Sequence, residues 1–268
     1  MAAFEPSGVI TLMTDFGLED PFVGVMKGQI LSRFPAARIV DLTHGIPAQR
    51  PAVAGVWLAR SFEYFPRGTV HVAVVDPGVG TARAILCLSA SAQVFLAPDN
   101  GLLEPVAARS ADARAVRVAA SSLAELGAAR VSATFHGRDL FAPVAAALAS
   151  GASTPERLGA PAPLTRGSLP APRVCDGRIE GAILTVDHFG NLITDIDAQM
   201  LAHVPNPQVR IAERALAVRR TYADAAPGEL LALVNAFDLL EIACANGDAA
   251  RVLGIGRGAT VTVSSASD

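Results

Sequence analysis

The sequence predicts an α/β domain, with a central, largely parallel sheet flanked by helices, followed by a smaller β-rich domain. Three observations predict it. Apolar runs alternate with helix-spaced segments across residues 9–75, the pattern of parallel strands joined by covering helices. Pro, Gly and Ser then crowd residues 150–177, a linker composition. Beyond it come short apolar runs separated by turns. The expected boundaries are 1–155 for the first domain, 156–177 for a Pro-rich linker and 178–268 for the second domain.

Residues 9–13 read as the first strand. Over 20–34, the positions Phe22, Val23, Val25, Met26, Ile30, Leu31 and Phe34 follow helical spacing, with Asp20 as cap and Pro21 in the first turn. Residues 37–42 form the next strand candidate, 49–65 the next helix, and 69–75 the third strand. Two more strands are expected at 84–89 and 93–97, whereas the alanine-rich segment 110–131 has no clear pattern. A helix is expected over 140–149 with Asp139 as its N-cap. The runs 179–186, 208–211, 215–219, 230–234 and 259–263 are the strand candidates of the second domain.

Composition excludes several function classes. At 51% hydrophobic residues in 268, there is ample material for a core. A net charge of −3 gives no electrostatic case for nucleic acid, and 5% aromatic residues argue against a base-stacking surface. The beginning of the chain lacks the basic and apolar regions of a signal peptide. The richest apolar stretch, 230–245, is broken by Asn235, Asp238 and Glu241, so no membrane span is expected. Cys87, Cys175 and Cys244 fit neither a zinc site nor a disulfide framework. The histidines are not spaced as ligands, and His71, inside a strand, reads as structural. A cytoplasmic protein without a bound metal is expected.

Four polar clusters follow apolar runs: Thr14-Asp15-Phe16-Gly17, Asp76 with Arg83, Phe135-His136-Gly137-Arg138-Asp139, and Asp187-His188-Phe189-Gly190-Asn191. Polar groups at strand ends reach the rim where open α/β sheets bind ligands. Each cluster also has a bland reading. Asp15 suits an Asx turn with Gly17, His136 a helix cap, and Asp187 with Asn191 the two sides of a hairpin turn.

Together with Asp41-Leu42-Thr43-His44, Val75-Asp76-Pro77-Gly78-Val79-Gly80, Pro98-Asp99-Asn100-Gly101-Leu102 and Leu240-Glu241-Ile242-Ala243, these motifs resemble the S-adenosylmethionine hydroxide adenosyltransferases. These enzymes, also called S-adenosylmethionine hydrolases, are related to fluorinating and chlorinating enzymes that attack the same carbon with halide. The resemblance implies an N-terminal α/β domain, a C-terminal β-barrel and a homotrimer whose active sites lie between neighbouring subunits. It implies cleavage of S-adenosylmethionine to adenosine and L-methionine by water or hydroxide at ribose C5′. The small molecule is the substrate, and no cofactor is expected. The family's Asp–Arg–His triad maps onto Asp76, Arg83 and His136. Asp15 matches the ribose-binding aspartate, with Phe16 beside it in the binding set. Phe189 and Asn191 match adenine contacts, Asp187 a partner of the methionine ammonium, and Tyr222 a further stacking ring. Asn100, Asn235 and Glu241 complete the binding candidates, each with an equally plain structural reading. The halogenating relatives replace the residues at Asp76 and His136 and carry serine at Gly137, so halide use is the lesser alternative here. Simple binding of S-adenosylmethionine or adenosine without turnover is the other. A methyltransferase fits poorly, because the first strand runs into Asp15-Phe16-Gly17-Leu18 and not a Gly-rich phosphate loop.

Overall fold

Strand β1 (Val9–Thr14) is buried throughout and sits inside a seven-stranded sheet. A computed structural model of the chain describes residues 4–127, 130–168 and 171–266. Pro170 of the expected linker, and residues 128–129 of the alanine-rich segment, lie outside the described residues. The chain divides into two compact units, Met1–Ser168 and Leu169–Asp268.

In the first unit, β1 is followed by α1 (Phe22–Leu31), β2 (Arg38–Thr43), α2 (Pro51–Ser61), β3 (Val70–Val74), β4 (Ile85–Ala90) and β5 (Gln93–Pro98). Then come α3 (Glu104–Ala108), β6 (Arg114–Val118), α4 (Ala120–Glu125), α5 (Ala142–Ala149) and β7 (Gly159–Pro161). The sheet order is β2-β1-β3-β5-β4-β6-β7. The pairs β1–β2, β1–β3 and β3–β5 are parallel, and the pairs beyond β5 are antiparallel. The alanine-rich segment thus supplies an antiparallel strand and a short helix, and part of the expected linker joins the sheet as β7.

Alternation along a strand sends successive side chains to opposite faces. In β3, Val70, Val72 and Val74 join Ile10, Leu12, Met26 of α1 and Val144 of α5 in one core. Ala73 and Val75 join Leu58 of α2, Leu86 and Phe95 in the other. The sheet is therefore covered on both faces. The chain leaves β1 for β2 on one side and returns to β3 on the other side. Strand order reverses between β1 and β3, the position where open α/β sheets place ligands at the carboxyl ends of their strands.

Two expected caps differ from what is observed. Pro21 occupies the N-cap of α1 and makes no side-chain cap bond, so Asp20 lies one residue too early. Asp139 lies within a π-helical turn, Gly137–Phe141, that precedes α5. Its carboxylate accepts bonds from Ser132 N (2.8 Å) and from Arg138 instead.

The second unit comprises β8 (Arg173–Cys175), β9 (Arg178–Val186), β10 (Leu192–Asp197), α6 (Ala198–Leu201), β11 (Pro207–Ile211), β12 (Arg214–Arg219), β13 (Leu230–Val234), β14 (Leu239–Cys244), α7 (Ala249–Leu253) and β15 (Thr260–Ser265). Pairing runs β9-β10-β14-β13-β12-β11-β15 and returns to β9, closing a seven-stranded barrel, with β8 added outside β9. Ile183, Leu192, Val209, Ile242 and Val263 fill its interior. Asp197 and Asp248 cap α6 and α7 by accepting from Met200 N (2.9 Å) and Arg251 N (2.8 Å).

Candidate active site

The strand β3 ends at Val74, Val75-Asp76 follow it, and the next residues curl back on themselves. Val79 N donates to the Asp76 carbonyl (3.2 Å) and Thr81 N to that of Gly78 (3.1 Å), while Thr81 Oγ1 accepts from Arg83 N (3.3 Å). This fold-back returns the Arg83 guanidinium to Asp76. Its Nε and Nη2 both donate to Asp76 Oδ2, the former at 2.8 Å. Asn100 Nδ2 pins the Val75 carbonyl from β5's end (2.9 Å). Gly80 (φ +78°) lets the loop press against the Ala133 carbonyl, which a Cβ would meet at 2.2 Å. That close approach places the segment carrying His136 beside Arg83.

Arg83 Nη2 lies 2.7 Å from His136 Nδ1. Guanidinium only donates, so Nδ1 accepts and the proton of the neutral imidazole resides on Nε2. Burial, and then the charge of Arg83, hold the imidazole below its ordinary value of 6.5, against the pull of Asp76 and Asp139. Neutral histidine is the form that this bond requires. Asp76 and Arg83 are an almost fully buried ion pair, with side chains 5% and 11% exposed. Asp76 Oδ1 is buried and has no hydrogen-bond partner among the described residues.

A cavity of about 360 Å³ opens over this group, lined by Asp15, Phe16, Gln49, Asp76, Phe135 and His136 among others. Asp15 Oδ2 accepts from Gln49 N (2.8 Å). Phe16, Phe22 and Phe135 form an edge-to-face triangle with centroids 5.3–6.1 Å apart, an apolar wall beside the polar floor. Gly137 packs into that wall: a Cβ there would meet Met26 Sδ at 3.0 Å and both Phe135 and Phe16 within 3.4 Å.

The second unit holds its own pocket, about 550 Å³, lined by Phe189, Asn191, Tyr222, Cys244, Asn246 and Gly247. Phe189 is 73% exposed, its ring turned to the surface and not to the core. Asp187 Oδ1 accepts from Phe189 N (2.9 Å) and Asn191 N (2.8 Å), and Oδ2 from Asn191 Nδ2 (3.0 Å). The turn reading of Asp187 and Asn191 therefore holds, and the turn is what displays Phe189. Glu241 is buried and accepts from Tyr222 OH (2.7 Å) and Asn235 Nδ2 (3.2 Å). Burial raises the pKa of both Glu241 and Tyr222.

Both units match one family. The family model described as SAM hydroxide adenosyltransferase N-terminal domain matches residues 10–159, and the one for its C-terminal domain matches residues 181–262. The chain belongs to the SAM hydroxide adenosyltransferase family.

Among relatives, the (R)-S-adenosyl-L-methionine hydrolase of Salinispora tropica is 42% identical over 254 residues, 93% of this chain and 95% of that protein. The crystal structure of an uncharacterized conserved protein from Thermotoga maritima superposes with a TM-score of 0.87 at 35% identity, covering 95% of this chain and 99% of that one. A fluorinase of Actinoplanes sp. stands further off, 28% identical over 215 residues, 70% of this chain and 71% of that enzyme.

Within this family member, Asp15, Phe16, Asp76 and His136 share the first unit's cavity, with Arg83 bonded behind them. Asn100 stands outside the lining, on the Val75 carbonyl. Phe189, Asn191 and Tyr222 share the second unit's pocket, while Asn235 and Glu241 support Tyr222 from behind. Gln49 is a lining residue that motif reading did not single out, and Phe135 lines the cavity although only its motif, and not the residue itself, was named for the site. Gln49 sits in Pro47-Ala48-Gln49-Arg50-Pro51, with φ +60° as the only local peculiarity, and that is invisible in sequence. Among the described residues, no group of three His, Cys, Asp or Glu side chains is arranged to hold a metal ion, and no helix is long and apolar enough to cross a membrane.

Proposed function

We propose that this protein hydrolyses S-adenosyl-L-methionine to adenosine and L-methionine by in-line attack of water on ribose C5′. One observation carries the reading. Arg83 occupies Asp76 Oδ2 twice, leaving the buried Oδ1 as an acceptor at the cavity. A water there gives one hydrogen to Asp76 Oδ1 and takes the His136 Nε2–H on one lone pair, keeping its other lone pair for carbon. The C5′–O bond forms as the C–S bond breaks; the sulfur leaves as a neutral thioether with the bonding electrons, and the proton passes to Asp76. The leaving group needs no acid, so positioning and proton acceptance are what the protein supplies. Attack on a sulfonium removes charge as it proceeds, and the phenylalanine wall favours that change.

Asp15, steadied by Gln49, is assigned to the ribose hydroxyls, with Phe16 beside it. Phe189, Asn191 and Tyr222 are assigned to adenine. Asp187 is assigned to the methionine ammonium through the lone pair that Oδ2 keeps after its bond from Asn191. The reading includes a homotrimer in a cytoplasmic setting, as the family resemblance implies; the first unit's cavity and the second unit's pocket each carry part of the binding set. A serine in place of Gly137 would have to displace Met26 and two rings, so water and not halide is the nucleophile in this reading.

The test is product analysis in heavy-oxygen water. The expected result is label in the adenosine 5′-hydroxyl alongside free, unlabelled methionine. Intact substrate, or a halogenated nucleoside when halide is added, overturns it. The pH profile is a second measurement. Protonating His136 at Nδ1 sets an N–H against the Arg83 donor, so kcat/KM is expected to fall on acidification with a midpoint below 6.5. A rate that rises as pH falls through that range contradicts the assignment.

A further inference from the structure

The motif Asp41-Leu42-Thr43-His44 lines neither of the two cavities described above, yet it contains a buried histidine. His44 is 4% exposed and comes from the loop after β2, the neighbour of β1. Its placement follows from an irregularity in the β1–β2 ladder: Leu12 pairs with Asp41, but Met13 pairs with Thr43. The extra residue on β2 moves His44 level with Thr14, the last residue of β1.

A chain of polar contacts then runs from the surface to the cavity. Lys27 Nζ donates to Asp41 Oδ2 (2.6 Å), and Asp41 Oδ1 lies 3.1 Å from His44 Nε2. His44 Nδ1 lies 2.8 Å from Thr14 Oγ1, which accepts from Phe16 N at 3.2 Å. With a neutral imidazole the direction is uniform: Nε2–H faces the carboxylate at contact distance but not in hydrogen-bond alignment, Nδ1 accepts from the Thr14 hydroxyl, and that hydroxyl accepts from the Phe16 amide. His44 grips the same turn through its backbone, since its carbonyl accepts from Gly17 N (2.9 Å). Thr14 is fully buried, and water cannot easily replace its bonds. Burial works to raise the Asp41 pKa, but the Lys27 bond and the nearby His44 imidazole outweigh it and hold the carboxylate ionised.

We propose that His44, oriented by Asp41 and acting through Thr14, is a positioning residue that holds the Asp15–Phe16 turn in the shape that receives the ribose. It serves binding and not the chemical step. The inference rests on the function proposed above, and goes beyond it by giving a role to residues that touch neither substrate nor triad.

The test compares Thr14→Val, nearly the same shape without the hydroxyl, with Thr14→Ser, which keeps it. KM for S-adenosylmethionine and Kd for adenosine are measured with kcat, and amide exchange is followed at Phe16. For Thr14→Val the expected result is a rise in KM and Kd of about tenfold, the range of one buried hydrogen bond, with kcat little changed and faster exchange at Phe16. Thr14→Ser recovers most of the affinity. His44→Ala repeats the Thr14→Val pattern. A fall in kcat at unchanged KM overturns the proposal, as does a Thr14→Ser variant no better than Thr14→Val. If the wild-type protein fails to cleave S-adenosylmethionine, the functional reading falls. The positioning role is then decided by exchange at Phe16, and a rate unchanged in Thr14→Val and His44→Ala overturns it.

Discussion

Asp76→Asn is expected to lower kcat by between about a hundredfold and ten-thousandfold, the usual contribution of a positioned proton acceptor. KM should change little, because the lost interaction matters only as the water gives up its proton. Asparagine keeps the shape and one carbonyl oxygen for Arg83 but removes the charge. Asp76→Ala removes the partner of a nearly buried guanidinium as well, and losing one member of a buried pair costs about 3–5 kcal/mol. Turnover and thermal unfolding measured on both variants separate the effects: the alanine protein is less stable, while both are inactive. An asparagine variant that retains wild-type turnover removes Asp76 from the chemistry.

Acidification is expected to destabilise the first unit through His71, a residue unrelated to the site. It is completely buried, bonded through Nδ1 to Thr11 Oγ1 (2.8 Å) and through Nε2 to Gln93 Oε1 (2.5 Å), and stacked on Phe95 at 4.8 Å. Gln93 Oε1 can only accept, so Nε2 carries the proton and Nδ1 accepts from Thr11. Burial lowers its pKa from 6.5 to about 4, against the opposing pull of Gln93. A depressed value means that the unfolded chain binds the proton more tightly. The stability is fully present above 6.5 and is lost as pH falls from there toward 4, by on the order of 3 kcal/mol for the full interval. Denaturant unfolding at both ends of the range, in wild type and His71→Leu, checks it. The variant should be weaker at neutral pH yet lose less on acidification; equal losses would mean that His71 is not the titrating group.

The sequence shows its parallel strands and their carboxylate ends plainly because each is a local signal. Residues 69–75 are a mostly apolar run, with Thr69 and His71 as its polar members, that stops at Asp76, and burial on two faces needs such a run. What escaped reading depends on distant partners. Residues 110–118 look unstructured until Arg114–Val118 pairs with β4, and Gly159–Pro161 becomes a strand only because β6 lies beside it. Asp139 resembles an N-cap, but the π-helical turn starts earlier, at Gly137, and leaves that carboxylate for Ser132 and Arg138. β14 was hidden by Glu241, a carboxylate that tolerates burial because Tyr222 and Asn235 bond to it. His44 stands in a recognisable motif, yet its contact with Thr14 depends on a slipped register between two strands, which no local pattern encodes.

The closed barrel also affects how this chain meets other chains. Each of its seven strands is hydrogen-bonded on both sides, so the barrel itself offers no unpaired ladder to which a foreign strand could add. Among the described residues, β8, three residues long, ends that sheet on the outside. In the other sheet the last strand on one side is β7, short and closed by Pro161, and proline cannot donate to a further ladder. The exposure to strand addition falls on β2, six residues long with Val40 facing outward at 40%. Arg38 at the start of that segment and Asp41 within it place charge along the edge, the usual protection of such a strand against self-association. Asp41, which stands against His44, thus also helps keep β2 from recruiting strands of other molecules.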